Sequence, residues 1–277
     1  MVCTRSGEEL SEMHRFFVSD INEADKEVTI TGQDVNHIAN VLRLSVGDEI
    51  TVSDGSSRDY LCSITAIDTK NDKNVIAEII DVFDSNAELP ADIYLFQGFP
   101  KGDKFETIIQ KCVELGVHEI IPVMMDRTVV QLDDKKRMKK ISRYQGIAEA
   151  AAKQSRRGII PDIKSFMSFK EAVKYSRDIS DIILVPYESA EGMPYSREVI
   201  RGIVNSVHEK ENSSVSDDNN RKYSVAVFIG PEGGFANSEI ELLKDSDAKI
   251  ISLGHRILRT ETAGMNIISV LGFNLDT

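Results

Sequence analysis

Residues 224–234 read Ser224-Val225-Ala226-Val227-Phe228-Ile229-Gly230-Pro231-Glu232-Gly233-Gly234, an apolar run that breaks into a glycine-rich turn before a helix opened by Asn237. The run predicts a strand over 224–229 and the turn a strand-to-helix connection. Outward from it the same unit recurs. Strands are expected at 93–97, 119–123, near 159–163, at 182–185 and at 249–252. Helices are expected at 103–115, near 138–154, at 169–175, near 197–204, at 237–244 and from residue 256. In 103–115, Phe105, Ile108, Ile109 and Cys112 fall at i, i+3, i+4 and i+7, and Gly116 sits where a helix ends. Alternating strands and helices require crossover connections, so the fold class is α/β, a mostly parallel sheet with helices on both faces.

Upstream the period changes. Short β-rich segments at 28–31, 49–53, 60–67 and 75–82 are separated by Gly47-Asp48, Asp54-Gly55 and Asn71-Asp72. Asp34 is placed to cap a brief helix through Leu42. This half predicts a small β-barrel. Pro90 and polar residues 84–88 mark the boundary, giving domains 1–87 and 88–277. Residues 205–222 hold only Val207 and Val215 as apolar members and are expected to form a polar surface insertion.

The chain has 277 residues, 41% of them hydrophobic, enough apolar side chain for two such cores. Cys3, Cys62 and Cys112 include no C-x-x-C pair, so neither a disulfide framework nor a metal site is expected. Arg5, Glu8, Glu9 and Glu12 in the opening stretch, and the absence of a long apolar run, predict a soluble cytoplasmic protein with no membrane span. The net charge of -12 disfavours indiscriminate nucleic-acid binding. It is unevenly spread: residues 1–87 carry 7 Lys+Arg against 17 Asp+Glu, a balance of -10, whereas residues 99–160 carry 13 against 8, a balance of +5. The run Lys135, Lys136, Arg137, Lys139 and Lys140 reads as a solvated helix face.

In parallel sheets ligands lie beyond the carboxyl ends of the strands. Two loops there are unusual. The turn 230–234 allows close backbone approach, but it has neither Walker A nor G-x-G-x-x-G spacing, so no nucleoside triphosphate site is expected. With Glu232 in the turn, a sulfonium or amine fits better than a phosphate. The second loop, 253–263, gathers Arg256, Arg259, Thr260, Glu261 and Thr262 between the last strand and the last helix, more hydrogen-bonding groups than capping requires.

Gly230-Pro231-Glu232-Gly233-Gly234 followed by Leu253-Gly254-x-Arg256-Ile257-Leu258-Arg259-Thr260-Glu261-Thr262-Ala263 resembles the signature of the 16S rRNA (uracil-1498 N3)-methyltransferases, a family of trefoil-knotted, S-adenosylmethionine-dependent RNA methyltransferases. The likeness extends to His14-Arg15-Phe16-Phe17, His37-Ile38, Val41-Leu42-Arg43, Lys101-Gly102-Asp103-Lys104, Lys111, Glu114-Leu115-Gly116, Ala151, Gln154-Ser155 and Arg157. The resemblance implies a PUA-like RNA-binding barrel followed by a knotted domain, paired in a homodimer. It implies S-adenosylmethionine as cofactor, held by Gly230, Pro231, Glu232, Gly233, Gly234, Leu253, Gly254, Ile257, Leu258, Arg259, Thr260, Thr262 and Ala263, with the stretch from Pro186 through Glu188 to Ser189. Arg259 and Glu261 are the catalytic candidates: Arg259 to stabilise a developing uracilate, Glu261 to orient the base, help move its proton or hold Arg259. Arg15, Arg43, Lys101, Lys104, Gln154 and Arg157 are the candidates for contact with 16S ribosomal RNA or the small ribosomal subunit. His255 stands where the family usually has proline, either filling the turn or titrating beside the cofactor. Ala236 replaces a capping Ser or Thr, and Ser238 with Glu241 has the spacing to take over. Two other readings are a knotted enzyme acting on another nucleotide and a non-enzymatic RNA-binding module.

Overall fold

The computed structural model describes residues 13–18, 21, 24–55, 57–85, 87–130, 132–188, 190, 192–213 and 221–276. By its internal contacts the chain divides into Met1–Glu88 with Arg156–Ile160, and Leu89–Ser155 with Pro161–Thr277.

The first unit is a five-stranded sheet. Its strands are β1 (Arg15–Phe17), β2 (Glu27–Ile30), β3 (Glu49–Ser53), β4 (Arg58–Asp68) and β5 (Asn74–Asp84), paired in the order β1-β3-β4-β5-β2. Only β1 and β3 run parallel. Register shifts at Leu61/Cys62 and Ile64/Ala66 bend the long β4–β5 ribbon. One apolar core joins Val28, Ile30, Ile50, Val52, Tyr60, Ile64 and Val75 to Val35 and Ile38. Those last two come from α1 (Gln33–Asn36), which widens into a π-helical turn at His37–Val41. Gly32 rather than Asp34 is the N-cap residue; Asp34 lies inside the first turn.

Two arginines expected to face RNA are consumed inside this unit. Arg157 is 2% exposed; its Nη2 pairs closely with Glu88 and its Nε donates to Glu88 Oε1 at 3.2 Å. Glu88 Oε1 also accepts from the Gly158 amide at 2.9 Å. Arg15 pairs with Asp59 at 2.5 Å and donates to the Arg156 carbonyl at 2.7 Å. Neither presents a free guanidinium. A buried carboxylate so surrounded is costly to remove, because the charge left behind stays desolvated.

The second unit is a parallel sheet of β6 (Ala91–Gly98), β7 (Glu119–Met124), β8 (Asp162–Ile163), β9 (Met167–Ser168), β10 (Ile182–Pro186), β11 (Tyr223–Ile229) and β12 (Lys249–Ile251). The order is β12-β10-β11-β6-β7-β8, with β9 also on β7. Its helices are α2 (Lys104–Glu114), α3 (Asp134–Gln154), α4 (Phe169–Ile179), α5 (Met193–Ser213), α6 (Asn237–Lys244) and α7 (Thr260–Leu275). Alternate strand residues Phe96, Ile121, Val123, Val185, Ala226 and Phe228 pack with Ala172, Val173, Ile240 and Leu243 of α4 and α6. The intervening Leu95, Val225 and Val227 are also buried, and α7 packs on β6, β11 and α2. Both faces are therefore covered.

Several helix ends and one helix cap depart from the sequence expectation. α5 runs through residue 213 because Ile200, Ile203 and Val207 keep one buried stripe at i, i+3 and i+7; the polar insertion is thus helical in its first part, while 214–220 lie outside the described residues. α6 is capped by Glu239, whose Oε2 accepts from the Ala236 amide at 2.7 Å, not by Ser238 and Glu241; Glu241 pairs with Lys244 at 3.0 Å. α7 starts at Thr260, not Arg256. No helix among the described residues is long and apolar enough to cross a membrane.

Substituting Glu88 by alanine removes the carboxylate that pairs with buried Arg157. The variant should lose about 3–5 kcal/mol of stability, read as a shift in the urea midpoint with unchanged slope.

Candidate active site

At the carboxyl rim of this sheet the two unusual loops meet. Gln97, fully buried at the end of β6, donates through Nε2 to Thr260 Oγ1 at 2.8 Å, and that hydroxyl donates to the Gly230 carbonyl at 2.6 Å. Thr260 opens α7 and Gly230 directly follows β11, so one chain of hydrogen bonds joins β6, α7 and the turn after β11. Residues 256–259 ahead of Thr260 are irregular, with Arg259 extended at the start of the helix. Beside it β6 and the turn touch closely: a Cβ on Gly98 would lie 2.5 Å from Pro231 N.

The space enclosed is a cavity of about 500 Å³, within the range usual for small-molecule sites. It is lined by Gly230, Pro231, Glu232, Gly233 and Gly234, by Leu253, Gly254, Arg256, Ile257, Leu258, Arg259, Thr260 and Ala263, and by Pro186, Tyr187 and Glu188. Thr262 and Glu261 do not line it. Thr262 is exposed on α7. Glu261 has its Oε2 buried without a hydrogen bond among the described residues, 3.9 Å from Lys104 Nζ. His255 is exposed and outside the lining; Ser189 lies outside the described residues.

Lys104, assigned from sequence to RNA contact, lines the cavity instead. Its Nζ is 2.9 Å from Glu232 Oε1, which also accepts from the Lys101 amide at 3.1 Å. Partial burial opposes ionisation of Glu232, but the bonds from Lys104 and the Lys101 amide outweigh it and hold the carboxyl below its usual range. Sequence reasoning missed Arg127, whose Nη1 donates to the Gly233 carbonyl at 2.8 Å. Its place just past a strand's carboxyl end was the available signal. Phe235 and Ser252 were missed as well, having no chemical signature of their own. Of the remaining RNA candidates, Arg43, Lys101 and Gln154 are exposed.

The walls fit S-adenosylmethionine. Pro186, Ile229, Leu253 and Leu258 supply apolar surface for a heterocycle, and Glu188 and Glu232 suit positive charge. Gly254 has φ +115, and a Cβ there would meet nothing within 4 Å, so the backbone itself faces open space. No cluster of three or more metal-ligating side chains occurs among the described residues. Cys62 and Cys112 are buried thiols, Cys62 pushed up to about 12 by burial.

Comparison with known proteins sets the class. Residues 87–272 match the family model of the RNA methyltransferase domain, and residues 30–81 that of the RNA methyltransferase PUA domain. The ribosomal RNA small subunit methyltransferase E of Bacillus subtilis is 34% identical over 95% of this chain and 98% of its own length. A crystal structure of the Neisseria gonorrhoeae methyltransferase of the same name, bound to S-adenosylmethionine, is similar at TM-score 0.75 and 26% identity, covering 94% of this chain and 97% of that one. A Legionella pneumophila methyltransferase in complex with the same cofactor is similar at TM-score 0.70 and 28% identity, over 94% and 96% of the two chains. This chain belongs to the ribosomal RNA small subunit methyltransferase E family, whose cofactor is S-adenosylmethionine.

Two outcomes test the geometry. Gly98→Ala forces backbone apart at the rim and should cost about 1–3 kcal/mol and weaken cofactor binding in calorimetry. Lys104→Met should change the acid limb of stability. Because Glu232 titrates below its unfolded value, its contribution is complete above the ordinary carboxylate range and lost as pH falls through the lowered value. The gap in melting temperature between wild type and variant should therefore close at acid pH; a constant gap would assign the effect to packing.

Proposed function

We propose that this chain methylates N3 of a uridine, position 1498, in 16S ribosomal RNA, acting in the cytoplasm as a homodimer. The reading rests on one observation: the turn 230–234 and the segment 253–260 close around a single cavity in which Arg259 forms part of the wall yet stays exposed. We further propose that α7 is threaded through a trefoil knot. In support, β12 lies at the sheet edge beyond β10, while the helix that leaves it packs back on β11 and β6.

When bound, the cofactor supplies a methyl carbon made electrophilic by its sulfonium, which leaves alignment and proton removal to the protein. Leu253, Gly254, Ile257, Leu258, Ala263 and the glycine turn would hold it, with Pro186 and Glu188 opposite. Uracil N3 carries a proton on the pairing edge, so the base must enter unpaired. Arg259 is exposed at the mouth, where its fixed donors would meet the uracil oxygens as negative charge develops. Glu261, two residues further on, would orient the base or take up the N3 proton. Lys104 ties the Glu232 turn to that carboxylate. Arg43, Lys101 and Gln154 remain to contact RNA.

Arg259→Ala should lower the methyl-transfer rate by about 10²–10³ while cofactor affinity changes far less. An unchanged rate would remove Arg259 from the mechanism. Mass spectrometry of small-subunit rRNA from cells lacking the gene should show one uridine methyl missing; its persistence would overturn the assignment.

A further inference from the structure

A second cavity of about 440 Å³ shares no lining residue with the first. It lies between the opening turns of α3 and the connection into β9, walled by Arg137, Met138, Ile141, Ser142 and Phe166. Its chemistry is mixed in a particular way. Met138, between Arg137 and Lys139 in sequence, is 69% exposed, and the Arg137 guanidinium stands 5.9 Å from the Phe166 ring centroid. Arg137 Nε is buried and finds no hydrogen-bond acceptor among the described residues. Lys135 and Lys139 are exposed on the same turns, on a chain whose net charge is -12. Asp134, also in the lining, offers an acceptor 3.9 Å from Arg137 Nη1.

The connection between β7 and α3 leads from a residue lining the first cavity, Arg127, to the helix whose first residue, Asp134, lines the second. Arg127, near its start, lines the first and bonds the Gly233 carbonyl. Asp133, near its end, caps α3 by accepting from the Lys136 amide. A strand lying along that connection with its target base in the first cavity would pass the second. An acidic peptide would satisfy the lysines but leave Met138, Ile141 and Phe166 with no planar partner.

We propose that this notch receives an unpaired nucleotide flanking the methylated one, a site that builds on the RNA-methyltransferase reading above. The base lies against Met138, Ile141 and Phe166. Asp134 and Ser142 accept from its amino edge, and Arg137 with the neighbouring lysines meets the phosphates.

The test uses the full chain and an RNA hairpin carrying the 16S sequence around uridine 1498, intact or made abasic at one flanking nucleotide at a time. Wild type should lose about tenfold in affinity at one flanking position. The double variant Arg137→Gln/Met138→Ser should bind the intact hairpin about tenfold more weakly and be indifferent to that abasic position, with cofactor affinity equal to wild type in calorimetry. A double variant that binds as tightly as wild type, or that still responds to the same abasic position, overturns the notch. Indifference of wild type to every abasic position, with displacement of the hairpin by an oligo-glutamate peptide, would assign the face to an acidic protein instead. A wild type that binds S-adenosylmethionine but no hairpin overturns the RNA reading and this site with it.

Discussion

The chain of hydrogen bonds from Gln97 through Thr260 to Gly230 is the constraint on which the site depends. The Gln97–Thr260 bond is buried, so breaking it would strand a buried polar group. Arg259, the residue before Thr260, is extended at φ -67 and ψ 155, and residues 256–259 form cavity wall. Gly98 makes the arrangement possible, since any side chain there would push β6 away from Pro231.

Charge in this protein is decided locally rather than by totals. Arg15 and Arg157 are spent on Asp59 and Glu88 inside the first unit, where burial makes the pairing obligatory. Lys104 is spent on Glu232 at the cavity. Lys135 and Lys139 at the start of α3 face solvent beside a notch of mixed polarity. A count of basic residues along the chain does not distinguish these fates, because a guanidinium adjacent in sequence to an exposed one can be sealed from water, as Arg157 is beside Arg156.

The alternation of strand and helix was legible because each buried strand is a bounded apolar run and each amphipathic helix repeats near 3.6 residues. So were the two loops, whose glycines and clustered polar groups serve no simple turn. Helix ends were less legible. α5 outran its expected limit because one valine, Val207, suffices to continue a buried stripe through a polar stretch. The cap of α6 fell to Glu239 because its carboxylate also accepts from the Asp126 amide at 2.9 Å, 113 residues away in sequence.

By itself the sequence determined the fold class, the placement of both loops at strand ends and the resemblance that names the chemistry, since these rest on local periodicity and contiguous motifs. Only the tertiary structure decided that Lys104 and Arg127 join the cavity, that Arg157 is buried and that Thr262 faces away. Those outcomes depend on which distant backbone and carboxylate each side chain meets, and pairing across a hundred residues leaves no mark on local sequence.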